Sequence, residues 1–88
     1  MQYPRILKAE AVDERTLLVE FADGGVREYT IHHLLEKPMF FALKQPAFFK
    51  SFKVEPGGYA LVWNEDIDIS EYELWKNGVA VTGREKQF

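Results

Sequence analysis

Residues 56–78 read PGGYALVWNEDIDISEYELWKNG, and this segment contains the signals of a turn, a strand and a helix in that order. Pro56 fixes the first central position of a turn, and the glycine after it allows the positive φ that the next position requires. Residues 52–55 and 59–63 flank the turn and contain the aromatic and β-branched side chains that strands favour. The segment therefore predicts a β-hairpin.

The helix that follows the hairpin has a marked start and a marked end. Ser70 and Glu73 have the spacing of a capping box, and Ile69 and Leu74 have the spacing of a hydrophobic staple. Gly78 is expected to end the helix at its C′ position. A short, capped C-terminal helix is therefore predicted.

Upstream of the hairpin, the pattern predicts three strands, at residues 6–12, 16–21 and 26–30. The polar residues 13–15 are short enough for a first hairpin turn. Residues 23–25, Asp-Gly-Gly, supply the positive φ of a second one. The three strands should therefore form an antiparallel meander.

A helical segment is predicted between the meander and the later hairpin. Thr30 is expected to cap a short helix over residues 31–36, which Pro38 prevents from continuing. Further helical turns are expected over residues 39–44 and after Pro46, a favoured first-turn residue. Five of the seven phenylalanines lie between residues 40 and 52. The helical segment, residues 31–50, is therefore expected to cover one face of the sheet and is called the lid below.

The predicted fold is α+β, with a three-stranded antiparallel meander, a short helical lid, a β-hairpin and a capped C-terminal helix. A chain of 88 residues suits one domain. We place that domain at residues 1–82 and a polar C-terminal tail at residues 83–88.

Composition excludes several classes of function. The formal net charge of −3 gives the chain no general attraction to phosphate backbones, so nucleic acid is disfavoured as a ligand. The absence of cysteine excludes disulfides, thiolate catalysis and cysteine-bound metal centres. The N-terminus lacks the pattern of a signal peptide, and no apolar run approaches the ~18 residues of a membrane span. We therefore expect a cytoplasmic protein with no membrane partner.

Several motifs occur in a specific order after the lid. They are Val54-Glu55-Pro56-Gly57-Gly58-Tyr59, then Trp63-Asn64, Asp66-Ile67-Asp68 and Leu74-Trp75. In this order, and with the strand pair, the Asp-Gly turn and the lid before them, they resemble a small bacterial family, domain-of-unknown-function family 2442. The resemblance covers about residues 5–78 and implies a small α+β domain.

The resemblance also implies a partner. Members of this family look as if they are encoded beside another small protein of unknown function, an arrangement that suggests a toxin and antitoxin pair. The resemblance therefore implies a protein partner, the product of an adjacent gene. It carries over no catalytic residue, and we expect neither an enzyme nor a cofactor.

The partner is expected to contact rigid aromatic anchors beside an acidic rim, because interface energy concentrates in such anchors. One member of each doublet, Phe40-Phe41 and Phe48-Phe49, tends to point away from the core of a short amphipathic helix. The alternative is that both members are buried, and homodimerisation would use the same surface. The predicted contact residues are Tyr59, Trp63, Asn64, Asp66, Asp68, Trp75, Phe41 and Phe49.

A rival interpretation is a carboxylate or metal-assisted enzyme centred on Asn64, Asp66 and Asp68. These oxygen donors alternate like the first ligands of a calcium loop, but Ile69 stands where that loop needs glycine. A structural explanation is also available, because Asp66 and Asp68 lie just before the predicted helix, where negative charge interacts favourably with the helix dipole. Asn64 either satisfies backbone groups of the turn or faces a ligand.

A third interpretation is a weak DNA-binding regulator. It requires a basic stripe, and Lys44, Lys50 and Lys53 are the residues available to form one. The adjacent His32 and His33 point about 100° apart on a helix, so they are poorly placed to chelate one ion.

Overall fold

The structure, a computed structural model, describes residues 4–81, and its first layer is a four-stranded antiparallel sheet. The strands are β1 (Ile6–Ala11), β2 (Thr16–Phe21), β3 (Val26–Thr30) and β7 (Val79–Ala80), in the order β1-β2-β3-β7. The predicted meander is confirmed. The two-residue strand β7 was not predicted, because two residues carry no periodic signal.

The lid consists of three short helices. Two are 3₁₀ helices, His32–Glu36 and Pro38–Lys44, and the third is α1 (Pro46–Phe49). The prediction that Thr30 caps the first helix was wrong. Thr30 remains in β3 opposite Thr16, and Ile31 is the N-cap without a side-chain cap bond.

A second antiparallel sheet contains the predicted hairpin and one further strand. Its strands are β4 (Lys53–Val54), β5 (Ala60–Val62) and β6 (Asp68–Ser70), in the order β4-β5-β6. The hairpin is confirmed, although its strands are shorter than predicted. Strand β6 was missed, because it is three residues long and runs directly into the next helix.

The C-terminal helix is α2 (Glu71–Asn77), and Ser70 caps it as predicted. The Ser70 hydroxyl accepts a hydrogen bond from the Glu73 backbone N–H at 3.1 Å. Gly78 ends the helix, but with an extended backbone, φ −75° and ψ 157°, rather than the left-handed conformation of a C′ glycine. Glycine suits this position because a Cβ would lie 2.5 Å from the Leu74 carbonyl oxygen.

The core lies where the two sheets, the lid and α2 meet. Alternate residues of β2 enter it, the lid contributes three fully buried side chains, and α2 contributes one. The largest fully buried side chains are Tyr29, Phe21, Phe49, Leu17, Ile31, Leu43, Leu61, Leu74 and Val19. The α+β class is confirmed by the two sheets and the helices.

Two predictions concern other parts of the chain. Residues 83–88, the predicted polar tail, lie outside the described residues. Within residues 4–81, none of the helices has the length and apolar character needed to cross a membrane.

Candidate functional site

Trp63 and Phe49 were predicted to contact the partner, with burial of both members of the Phe48-Phe49 doublet as the alternative, and the structure places Trp63 and Phe49 in the core. Trp63 is 9% exposed and Phe49 is fully buried. Their rings stack with centroids 6.3 Å apart, and the Trp63 indole N–H donates to the Phe49 carbonyl oxygen at 2.8 Å. The pair fastens the lid to the second sheet, so neither ring is available to a partner in this conformation.

Trp75 is partly buried and has both charged and aromatic neighbours. Its ring meets the edge of Phe21, with centroids 5.3 Å apart. The Arg27 guanidinium lies 3.9 Å from the ring centroid, at a distance typical of a cation–π contact. Trp75 therefore closes one end of the core, and Arg27 lies over one face of the ring.

Asn64 organises a turn. Its side-chain oxygen accepts hydrogen bonds from the backbone N–H groups of Asp66, at 2.8 Å, and Ile67, at 2.9 Å. Asp66 and Asp68 are exposed while Ile67 is buried. Within residues 4–81, no cluster of three or more histidine, aspartate or glutamate side chains is arranged to hold a metal ion.

Tyr59 lies at the surface, and its ring packs against Gly57 and under the Arg5 guanidinium. It is 49% exposed, and its ring lies so close to Gly57 that a Cβ there would be 2.5 Å from the ring. Over the ring, the Arg5 guanidinium lies 4.2 Å from the centroid and pairs with Glu71 at 2.7 Å. The Gly-Gly-Tyr motif therefore presents an ordered aromatic side chain to solvent.

The lid presents a second exposed apolar feature. Met39 is 60% exposed and Phe41 is 47% exposed, although Leu43 on the same 3₁₀ helix is fully buried. The Lys44 ammonium lies 4.3 Å from the Phe41 ring centroid. Of the two alternatives for the first phenylalanine doublet, the structure has the divided one, with Phe40 packed against the core and Phe41 turned outward.

A cleft of about 340 Å³ lies between the lid and the corner where β6 meets α2. We call it the lid cleft. Phe40 and Lys37 line it from the lid, and Asp68 lines it from β6. The cleft therefore brings one predicted residue, Asp68, to the predicted phenylalanine segment.

Three residues that were not predicted to form a site lie together in the lid cleft. The Tyr29 hydroxyl donates to the Glu73 carboxylate at 2.7 Å and lies 3.3 Å from His33 Nε2. His33 Nε2 is 3.9 Å from the same carboxylate oxygen. Burial raises the pKa of Tyr29 strongly, and the Glu73 carboxylate raises it further.

The signal for this cluster was present in the sequence but incomplete. Tyr29 has the inward register of β3, and Glu73 has the N3 position of a capping box. Residues 29 and 73 are 44 positions apart, so only the packing of α2 beside β3 brings them together.

A wider groove of about 540 Å³ runs along β4 and has Trp63 in its lining. Its rim carries Lys53 and Glu55, which have opposite charges. Since these charges offset each other and Trp63 is committed to the core, the groove provides less basis for choosing a ligand than the lid cleft does.

Comparison with known proteins places the chain in a family. No curated protein and no solved structure matches it. One family model, described as "Protein of unknown function (DUF2442)", matches residues 6–80, which span the strands, the lid and α2. The chain therefore belongs to the DUF2442 family.

Proposed function

We propose that this protein is a non-catalytic protein-interaction module, an antitoxin-like or regulatory partner of a small neighbouring protein. The observation that carries the proposal is the exposure of Met39 and Phe41, two large apolar side chains two positions apart on the lid. Exposed apolar side chains that cluster on one segment are typical of protein contact sites.

The lid suits this role because it is ordered before binding. Leu43 and Phe49 are fully buried, and the Trp63 indole bonds to the lid backbone at Phe49. These anchors fix the backbone on which Met39 and Phe41 stand. A partner therefore meets a surface that is already formed, and the lid loses less conformational entropy on binding than a disordered segment does.

Tyr59 is a second, independent candidate anchor. It is half-exposed and held by Gly57 and Arg5. Tyrosine and arginine are enriched among residues that dominate binding energy. We assign it to the same function.

The enzyme interpretation has less support. It needs Asn64, whose side-chain oxygen accepts two backbone hydrogen bonds, and the exposed Asp66 and Asp68. An exposed carboxylate lacks the enclosure that tunes an acid or base for catalysis. The DNA-binding interpretation rests on Lys44, Lys50 and Lys53, which are exposed but divided between the lid and β4.

The experiment is co-expression of the tagged protein with the product of the adjacent gene. The double variant Met39→Ser/Phe41→Ser should weaken copurification at least about tenfold, because two apolar anchors are lost. The matched control is Leu7→Ser, since Leu7 is 59% exposed on β1. It should bind normally.

Both variants should unfold at nearly the wild-type temperature, because the replaced side chains are exposed. Equal copurification of the lid variant and the wild type would refute the proposed surface. Gel filtration of the protein alone tests homodimerisation through the same residues. If the protein dimerises there, the wild type elutes as a dimer and the lid variant elutes as a monomer.

A further inference from the structure

We propose that the lid cleft receives an arginine side chain presented by the partner protein; this inference rests on the proposed function and specifies the chemistry of the contact. Phe40 lines the cleft and lies in the chain between the exposed Met39 and Phe41. The same partner that covers those two side chains is therefore taken to present the arginine.

Two carboxylates line the cleft, and a hydrogen bond fixes the position of one of them. Glu73 is one-third exposed, and the Tyr29 hydroxyl holds one of its oxygens at 2.7 Å. A carboxylate accepts about four hydrogen bonds, so the group retains capacity for another donor. Asp68 lines the same cleft from β6 and is exposed. A guanidinium, with five N–H donors in a planar fork, can bond to carboxylates in this arrangement.

Part of the wall is apolar, as the stem of an arginine requires. Leu34 and Phe40 line one side and Ile69 lines the other. The methylene groups of arginine pack on such surfaces, and its guanidinium stacks on aromatic rings, here that of Phe40. A volume of about 340 Å³ is at the small end of the range of ligand sites and is enough for one side chain.

Two cationic or protonatable groups also face the cleft, and they sharpen the inference. Lys37 is exposed at the rim on the lid, and His33 lies beside Glu73. With histidine neutral, the two carboxylates outweigh the single ammonium. The Lys37 ammonium repels an incoming guanidinium, so removing the Lys37 charge should strengthen binding.

The test uses N-acetyl-arginine amide as the probe and its uncharged counterpart, N-acetyl-citrulline amide, as the control ligand. Each is titrated into the isotope-labelled full chain and followed by NMR. The arginine probe should shift the signals of His33, Phe40 and Glu73, whereas the citrulline probe should not.

The variants give three directional results. Glu73→Gln keeps an oxygen for the Tyr29 hydroxyl but loses the charge, and it should weaken the arginine probe about tenfold. Asp68→Asn should weaken it less, because Asp68 is more exposed, and Lys37→Gln should strengthen it. The control Glu10→Gln should change nothing, since Glu10 pairs with Leu18 on the face of the sheet opposite to the core residues Leu17 and Val19.

Equal shifts with both probes, or arginine binding that Glu73→Gln leaves unchanged, would overturn the inference. That failure is distinguishable from failure of the proposed function. If the adjacent gene's product copurifies through Met39 and Phe41 while Glu73→Gln and Asp68→Asn bind it normally, the docking surface stands and the arginine contact is refuted.

Discussion

Replacing Gly58 with alanine should destabilise the fold more than the same change at Gly24. Both glycines have a positive φ, +76° at Gly58 and +91° at Gly24. A Cβ at Gly24 would have nothing within 4 Å, whereas a Cβ at Gly58 would lie 2.5 Å from the Ile6 carbonyl oxygen and 2.9 Å from the Ile6 nitrogen. The loss of stability in Gly24→Ala therefore measures the cost of a left-handed alanine alone. In Gly58→Ala, the clash between the new Cβ and β1 adds to that cost.

The size of the difference follows from these distances. A left-handed alanine costs about 1 to 2 kcal/mol. Ordinary contact begins near 3.4 Å, so the backbone at Ile6 must retreat by about 0.9 Å from the new Cβ. This movement lengthens the 2.9 Å hydrogen bond from the Ile6 N–H to the Gly58 carbonyl, and losing that bond costs about 1 to 2 kcal/mol more. We expect about 3 kcal/mol for Gly58→Ala and about 1.5 kcal/mol for Gly24→Ala.

Urea unfolding followed by tryptophan fluorescence measures both free energies of unfolding. The comparison requires equal slopes of free energy against urea, which show that the same surface is exposed on unfolding. Values for the two variants that agree within about 0.5 kcal/mol would refute the collision with β1, and with it the close contact between the Pro56 hairpin and the first sheet.

Two further predictions concern the core. Trp63→Phe should lower the free energy of unfolding by about 2 to 4 kcal/mol, because it removes buried contacts and leaves the Phe49 carbonyl without its donor; a loss below about 1 kcal/mol in urea unfolding would contradict the burial of Trp63. Tyr29 should not ionise in the folded protein, because burial and the Glu73 carboxylate raise its pKa. The contribution of Tyr29 to the free energy of unfolding should be complete at pH values below its unfolded-state pKa of 10.0. It should decline as the pH rises above that pKa. In Tyr29→Phe, the free energy of unfolding should fall less steeply as the pH rises above 10.0. An equally steep fall in the variant and the wild type would contradict the raised pKa of Tyr29.

The sequence predicted the elements whose signals are local. The meander follows from strands of five or six residues separated by turns in which Asp13 and Asp23 side chains accept backbone hydrogen bonds two residues later. The cap at Ser70 follows in the same way, from a hydroxyl three positions before its donor. Each of these features is decided within about six residues, so a single sequence is enough to find it.

Elements decided by tertiary contacts were found incompletely. Short helical turns were predicted over residues 31–36 and 39–44, and the chain forms 3₁₀ helices there. The Ile31 N–H bonds to the Arg15 carbonyl of the meander, so Thr30 stays in the sheet instead of capping a helix. Exposure was equally hard to predict. A tryptophan has a large apolar surface that suits an interface as well as a core. In this fold the hydrogen bond from the Trp63 indole N–H to the Phe49 carbonyl oxygen holds the side chain in the core.

Glu73 shows why the candidate site differs from the predicted one. At the N3 position of α2, its expected partner was the backbone N–H of Ser70, as in a capping box. The carboxylate instead accepts the Tyr29 hydroxyl at 2.7 Å and lies 3.9 Å from His33. The local spacing of residues 70 and 73 predicts a bond to the Ser70 backbone N–H. It contains no information about the Tyr29 hydroxyl, which is 44 residues away in the chain. Ser70 still caps the helix through the Glu73 N–H, so the cap does not need the carboxylate. The side chain therefore lines the lid cleft, where we propose that it contacts the arginine of the partner.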